Sequence, residues 1–443
     1  MAVKVGMVSL GCPKNQVDAE IMLSILQKNG YEITADENQA DAIIVNTCGF
    51  IGDAKQEAID NIIELGELKK QNKLKAIIVT GCLAERYRDE ILKEMPEVDA
   101  VVGIGENKNI CAIVDKVLNN DSFSCYSDKN NLLMNADRLL TTPPYTAYLR
   151  IADGCDNKCT YCAIPMIRGG FRSREMENII AEAKSLAENG AKEIILIAQD
   201  TTRYGEDLYG EYKLPDLLDN LQKIDGIEWI RILYTYPDKI TDELISAIKR
   251  NSKVLHYLDI PMQHASDKVL KRMNRSGNGE DLKNIINKLR KEIPDITIRT
   301  TFIVGFPGED EKDFETLAEF VKETKFNRMG AFAYSAEEGT PAAEFPDQID
   351  EDVKERRLEV LMAEQSVVND ELSESQIGKD LEVLVEDYDR MNKCYYGRSK
   401  MDAPDIDGKV FFMSEKKHKE GEILKLHIYD RIDYDLLGEE LSE

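Results

Sequence analysis

Cys155-Asp-Asn-Lys-Cys159-Thr-Tyr-Cys162 puts three thiols into one short loop with the spacing C-x₃-C-x₂-C. Three thiolates so placed can hold three irons of a 4Fe–4S cube. No fourth cysteine lies nearby, so one iron keeps an open coordination position. Zinc is the competing reading, but structural zinc sites are closed by four ligands. The four histidines of the chain, His256, His264, His418 and His427, all lie far from the triplet.

A second set of cysteines is scattered. Taken singly, Cys12, Cys48 and Cys82 each read as a small buried hydrophobe. Taken together they share a position: each ends an apolar strand candidate, in Ser9-Leu10-Gly11-Cys12, Asn46-Thr47-Cys48 and Val79-Thr80-Gly81-Cys82. Ligand sites of open α/β sheets lie beyond the carboxyl ends of the strands. The three thiolates are therefore expected to meet at one sheet edge and hold a second cluster, again with one open iron. Cys111, Cys125 and Cys394 lack such placement and read as ordinary core or surface residues. An open iron is what radical chemistry with S-adenosylmethionine requires. The iron chelates the amino and carboxylate groups of the cofactor, and an electron cleaves the sulfonium to release a 5′-deoxyadenosyl radical.

These loops need a frame. The first 135 or so residues alternate strands (Val3–Leu10, Ala42–Val45, Ala76–Val79) with helical patterns such as Asp18–Lys28 and Asp53–Lys70, which predicts an open α/β domain. A looser stretch with Asn119-Asn120-Asp121, Asn130-Asn131 and Pro143-Pro144 reads as a linker. The alternation then resumes six times, with strands Ala147–Ala152, Glu193–Ala198, Trp229–Tyr234, Leu255–Ile260, Thr297–Val304 and Gly330–Tyr334. Helical segments such as Glu177–Asn189, stopped by Gly190, separate them. Six parallel strands with outer helices predict a partial (β/α)6 barrel whose chemistry sits on the loops after the strands. A charged helix, Glu351–Glu374, leads to residues 376–443, where Leu381–Val385, Lys409–Phe412 and Ile423–Ile428 suggest a small β-barrel. The expected domains are 1–135, 141–372 and 375–443.

The 443 residues are 42% hydrophobic and 32% charged, the composition of a globular protein with a sizeable core. No apolar run approaches the roughly 20 residues needed to span a bilayer, and Met1-Ala2-Val3-Lys4-Val5 begins a strand-like segment without a signal-peptide core. A cytoplasmic location, with reduced thiols available for metal, is expected. The formal net charge of −26 repels phosphate backbones and attracts basic macromolecules.

Gly11-Cys12-Pro13-Lys14-Asn15, Asn46-Thr47-Cys48-Gly49-Phe50, Gly81-Cys82 and the Cys155–Cys162 loop, with Tyr161 before its last cysteine, together resemble the methylthiotransferases of the radical S-adenosylmethionine superfamily. The resemblance covers essentially the whole chain and implies a cluster domain, a radical barrel and a C-terminal TRAM module. It implies two 4Fe–4S clusters, on Cys12, Cys48 and Cys82 and on Cys155, Cys159 and Cys162. It further implies insertion of a methylthio group at an unactivated C–H bond, one S-adenosylmethionine giving the methyl group and another the radical. Within the family, one branch modifies transfer-RNA adenosines and another an aspartate β-carbon of ribosomal protein uS12. Cys12-Pro13-Lys14-Asn15, the Gly49-Phe50-Ile51 tail, Gln263-His264-Ala265 and Tyr234-Thr235-Tyr236-Pro237 resemble the second branch. Residues 376–443 hold 17 acidic and 11 basic side chains, which suits a basic ribosomal protein better than RNA. The expected partners are uS12 and an external electron donor, with neither membrane nor transfer RNA. The alternatives are a transfer-RNA adenosine methylthiotransferase and a non-catalytic iron–sulfur scaffold.

Candidate cofactor contacts complete the reading. Gln199 and Asp200 end the second barrel strand, where many radical S-adenosylmethionine enzymes carry Gly-Gly-Glu; that triplet is absent, and Gln199 offers a carbonyl oxygen instead. Tyr161 is the aromatic of the cluster loop. On the fifth strand Arg299 and Gly305 are candidates, Gly305 because a glycine permits close approach by the cofactor, although a plain β-to-α turn explains it as well. Arg168, Arg172 and Arg174 could clamp an anionic substrate carboxylate, or stand solvated at a helix entry.

Overall fold

The computed structural model describes residues 2–49, 52–119 and 121–441, so Phe50 and Ile51 of the second cysteine motif lie outside the described residues. The N-terminal sheet contains β1 (Lys4–Ser9), β2 (Glu32–Ile33), β3 (Ala42–Thr47), β4 (Ala76–Gly81), β5 (Ala100–Val102) and β6 (Phe123–Cys125), in the order β2-β1-β3-β4-β5-β6 and parallel throughout. The central strands β3 (AIIVNT) and β4 (AIIVTG) are buried at every position. Such unbroken apolar runs belong to parallel strands covered on both faces. Register then aligns the cysteine loops. Ser9 pairs with Asn46, Asn46 with Thr80 and Thr47 with Gly81, so Cys48 and Cys82 leave the sheet side by side.

Helix α1 (Pro13–Lys28) starts five residues before the apolar pattern suggests, because Pro13 at its first position fixes the helical φ directly after Cys12. Helices α2 (Gly52–Lys70) and α3 (Cys82–Tyr87) follow β3 and β4. The stretch read as a linker is partly structural, since Phe123–Cys125 adds the edge strand β6. At three residues, β5 and β6 are too short to show a period.

The second unit is the expected open barrel. Strands β7 (Thr146–Arg150), β10 (Glu193–Ile197), β11 (Trp229–Ile232), β12 (Val254–Asp259), β13 (Thr297–Val304) and β14 (Arg328–Ala333) run parallel in chain order, leaving β7 and β14 as open edges. A two-stranded ribbon, β8 (Ala152–Asp153) with β9 (Arg172–Ser173), brackets the loop triad. The charged helix Glu351–Glu374 packs on β14 and on the helix Glu311–Thr324.

The third unit is a closed barrel of β15 (Asp380–Asp389), β16 (Cys394–Ser399), β17 (Val410–Met413), β18 (Ile423–Ile432) and β19 (Asp435–Glu440), ordered β15-β16-β17-β19-β18. Two of its strands, CYYGRS and DLLGEE, are too polar to stand out in the sequence.

The outer units close the two mouths of the central one. At the amino ends of its strands, Arg398 donates 2.7 Å to Glu193, the first residue of β10, and Tyr257 donates 2.7 Å to Asp407. At the carboxyl ends sits α1, whose Val17 and Ile21 join Tyr148, Ile195, Ile197 and Leu233 in one apolar cluster. The N-terminal domain also reaches past the opposite edge, where Lys55 and Arg86 pair with the buried Glu337 beyond β14.

Candidate functional site

The loop triad is fixed by backbone contacts along its length. Cys155 N–H donates to Gly169 O at 3.1 Å and Cys162 N–H to Cys159 O at 3.1 Å. Thr160 N–H donates to Met273 O at 3.0 Å and its hydroxyl to Arg272 O at 2.8 Å. Asp156 accepts from Phe171 N–H at 3.1 Å, and Asn157 donates to Asp200 at 2.9 Å. The ring of Tyr161 packs against Val269, Met273, Phe306, Tyr334 and Ala342 beneath the loop. Burial pushes the Cys155 thiol up to about 11 and the Cys162 thiol up to about 12. Such thiols give up their protons when a metal takes it over.

Two further groups face this triad: Arg275, which the sequence does not single out, and Tyr236 of the Tyr234–Pro237 motif. Arg275 lies with one guanidinium nitrogen 3.9 Å from Cys159 Sγ, donates to Pro261 O at 2.6 Å and stacks 3.8 Å from the centroid of Tyr236. The Tyr236 hydroxyl is 3.6 Å from the same sulfur. Hydrogen bonds to cluster sulfurs are one of the protein's controls on reduction potential. Arg275 sits just after a short helix, and only the folded chain brings it to Cys159.

The scattered triad is assembled by close backbone approach. Gly11 has φ +91°, and a Cβ there would lie 2.7 Å from Cys48 Cβ and 3.0 Å from its Sγ. A Cβ on Gly49 would lie 2.8 Å from the backbone of Leu83, beside Cys82. Asn15 ties the strand ends together: its amide donates to Thr47 O at 2.8 Å and Leu10 O at 3.1 Å, and its oxygen accepts from Arg168 at 2.7 Å. Asn46 donates to Asn15 O at 2.7 Å. Burial pushes the Cys82 thiol up to about 12, against the opposing pull of Arg168.

The two triads adjoin each other. Cys82 packs on Ala163 and Ile167, in the turn and helix directly after Cys162. Arg168 ends that helix with a guanidinium nitrogen 3.9 Å from Cys82 Sγ. Each triad offers three sulfurs, the donor type that iron–sulfur clusters take. Among the described residues, no three His, Cys, Asp or Glu side chains converge as they would on a single ion. Gln199 Oε1 is buried at the end of β10 without a partner, and such an orphaned acceptor fits a donor supplied by a ligand.

Several expectations need correction. Arg168 and Arg174 are neither solvated nor available as a clamp. Arg168 is 1% exposed and pairs with Asp18 at 2.8 Å and Asp153 at 3.0 Å; Arg174 pairs with Glu182 at 2.6 Å. Arg172 donates to the Gly170 carbonyl at 2.9 Å and to Asn130. Arg168 and Arg150, both paired with Asp18, form a buried ionic seam between the first two domains. Arg299 is engaged by Asp259 at 3.0 Å and Asp407 at 3.6 Å. Space over Gly305 is taken by Lys354, whose Cγ would lie 2.3 Å from an added Cβ, so its glycine answers to packing and to a φ of +69°. His264 is fully buried, accepting from Ser266 N–H at 2.9 Å with its other ring nitrogen 3.4 Å from Glu309. No helix among the described residues is long and apolar enough to cross a membrane.

The comparisons with known proteins agree with the three-part architecture. Residues 4–103 match the uncharacterized protein family UPF0004, 149–321 the radical SAM superfamily and 377–440 the TRAM domain. The ribosomal protein uS12 methylthiotransferase RimO of Acetivibrio thermocellus is 51% identical, over 100% of this chain and 99% of its own. The chain belongs to the RimO family of methylthiotransferases. The RimO proteins of Clostridioides difficile and Geobacter sulfurreducens are 51% and 50% identical over 99% of both chains. A solved radical S-adenosylmethionine methyltransferase, TsrM from Kitasatospora setae, shares the fold at a TM-score of 0.56 and 13% identity, over 77% of each chain. Membership of RimO brings the use of S-adenosylmethionine and iron–sulfur cofactors in general.

Proposed function

We propose that this RimO-family chain adds a methylthio group to the β-carbon of an aspartate in ribosomal protein uS12, using two 4Fe–4S clusters. Cys155, Cys159 and Cys162 would hold one and Cys12, Cys48 and Cys82 the other, each leaving one iron open. The observation that carries this reading is the apposition of the triads, with Cys82 packed on the helix that follows Cys162. Sulfur chemistry at one site and radical chemistry at the other must reach the same substrate carbon, and adjoining triads permit that. When bound, the loop cluster would pass on an electron from the external donor, S-adenosylmethionine would supply the radical and the methyl group, and the sulfur would be handled at the N-terminal cluster.

The chain's own residues position and exclude. Arg275 and Tyr236 orient donors toward Cys159, the Gln199 oxygen stands ready for a cofactor donor, and Tyr161 anchors the loop through its ring. The seam of Asp18, Arg150, Asp153 and Arg168 fixes one triad against the other. Breaking one partner of such a buried pair costs about 3–5 kcal/mol. We take the domains as 1–135, 141–372 and 375–443, with an external electron donor as the further partner. A net charge of −26 favours a basic protein substrate over an RNA backbone.

The division of labour is tested with Cys48→Ala. This variant is expected to retain cleavage of S-adenosylmethionine while losing methylthio product on a uS12 peptide. Undiminished product would remove the role given to the N-terminal triad.

A further inference from the structure

Lys14 lies between the two sites. It follows Cys12 by two residues, on the first turn of α1, and is 7% exposed. Its ammonium stands 3.3 Å from the centroid of the Tyr234 ring and 3.5 Å from the Ala198 carbonyl oxygen. Among the described residues it forms no ion pair with a carboxylate; after burial itself, the strongest charges acting on it are those of Cys12, which favours the cation, and Arg168, which opposes it, with Asp153 and Asp259 acting more weakly. An ammonium has three donors, and a single carbonyl at the outer limit of hydrogen bonding leaves most of that capacity unused. A buried cation in this condition calls for an anion.

The surroundings are built to keep the cation in place. Tyr234 has φ +60°, in the left-handed region that a tyrosine rarely adopts. Its N–H donates to Asp259 at 3.0 Å and its carbonyl accepts from Thr201 N–H at 3.0 Å, which holds the ring under Lys14. The next residue after Ala198 is Gln199, with its unpartnered buried oxygen. Lys14 and Tyr234 thus come from two motifs far apart in the sequence and meet at the carboxyl ends of the barrel strands, beside Cys12.

We propose that Lys14 receives the carboxylate of the substrate aspartate, anchoring it between the N-terminal triad and the strand ends of the barrel. The inference rests on the uS12 reading above. It makes Lys14 a specificity-determining residue: it distinguishes aspartate from asparagine and disfavours a neutral nucleobase at the same place.

The test is binding without turnover. A fluorescent peptide carrying the uS12 target aspartate, and its asparagine counterpart, are titrated by anisotropy into the anaerobically reconstituted full chain. The wild-type chain is expected to favour the aspartate peptide at least about ten-fold. Lys14→Met removes that preference, and Lys14→Arg keeps most of it. Equal binding of both peptides by the wild-type chain overturns the proposal without recourse to any variant. A preference that survives in Lys14→Met also overturns it. In that case a shifted midpoint potential of the N-terminal cluster would assign the cation to the cluster, and a weakened S-adenosylmethionine affinity would assign it to the cofactor carboxylate. If the wild-type chain binds neither peptide, the uS12 reading itself fails.

Discussion

The two cysteine triads, each proposed to hold a cluster, are built by opposite routes. Cys155, Cys159 and Cys162 lie on one loop, and sequence spacing alone brings them together. The barrel then needs only to stiffen that loop, through the β8–β9 ribbon and the contacts of Thr160 and Asn157. Cys12, Cys48 and Cys82 come from three strands, and a whole parallel sheet is spent on their alignment. The approach of their loops depends on glycines that let backbone pass against backbone, above all Gly11 beside Cys48. A local motif tolerates changes in the scaffold that a dispersed one cannot.

The contrast can be broken most severely at the loop. Cys159→Ala is expected to abolish formation of 5′-deoxyadenosine while about half of the iron remains, because the N-terminal cluster needs no residue of the loop. Deoxyadenosine at the wild-type rate would refute the radical role of the loop triad. Iron lost altogether would show that the two sites do not assemble independently.

A milder change separates the scaffolds. Gly11→Ala places a methyl group against Cys48 and forces a non-glycine residue into positive φ, a strain of about 1–2 kcal/mol before the overlap is counted. Iron should fall mainly at the N-terminal site, with cleavage of S-adenosylmethionine largely kept. Normal iron content in this variant would mean that the loops have slack enough to accept the added methyl group.

The smallest effect expected is electronic. Arg275→Lys or Tyr236→Phe removes a donor facing Cys159, so the loop cluster should become harder to reduce while the N-terminal cluster keeps its potential. Redox titration followed by electron paramagnetic resonance reads both at once. Equal shifts at the two clusters would deny that Arg275 serves the loop triad in particular.

The same contrast explains what the sequence made legible. The C-x₃-C-x₂-C spacing carries its own geometry, and the buried strands β3 and β4 announce themselves by apolar runs. The scattered cysteines were readable only because each ends such a strand. Short β5 and β6 and the polar strands β16 and β19 carried no period, since they are defined by neighbours in the sheet. Arg168 and Arg174 misled because an arginine looks alike in solvent and in a buried ionic seam until its carboxylates, Asp18, Asp153 and Glu182, are seen beside it. Arg275 and the position of Lys14 between the sites follow from tertiary proximity that no local pattern encodes.

The central claim is that radical and sulfur chemistry meet on one aspartate of uS12. The most direct measurement offers a uS12-derived peptide and transfer RNA side by side to the anaerobically reconstituted chain with S-adenosylmethionine and reductant, and reads both by mass spectrometry. A methylthio mass gain on the aspartate of the peptide is expected. A gain on the RNA alone, or no cleavage of S-adenosylmethionine by a chain with both clusters in place, would contradict it.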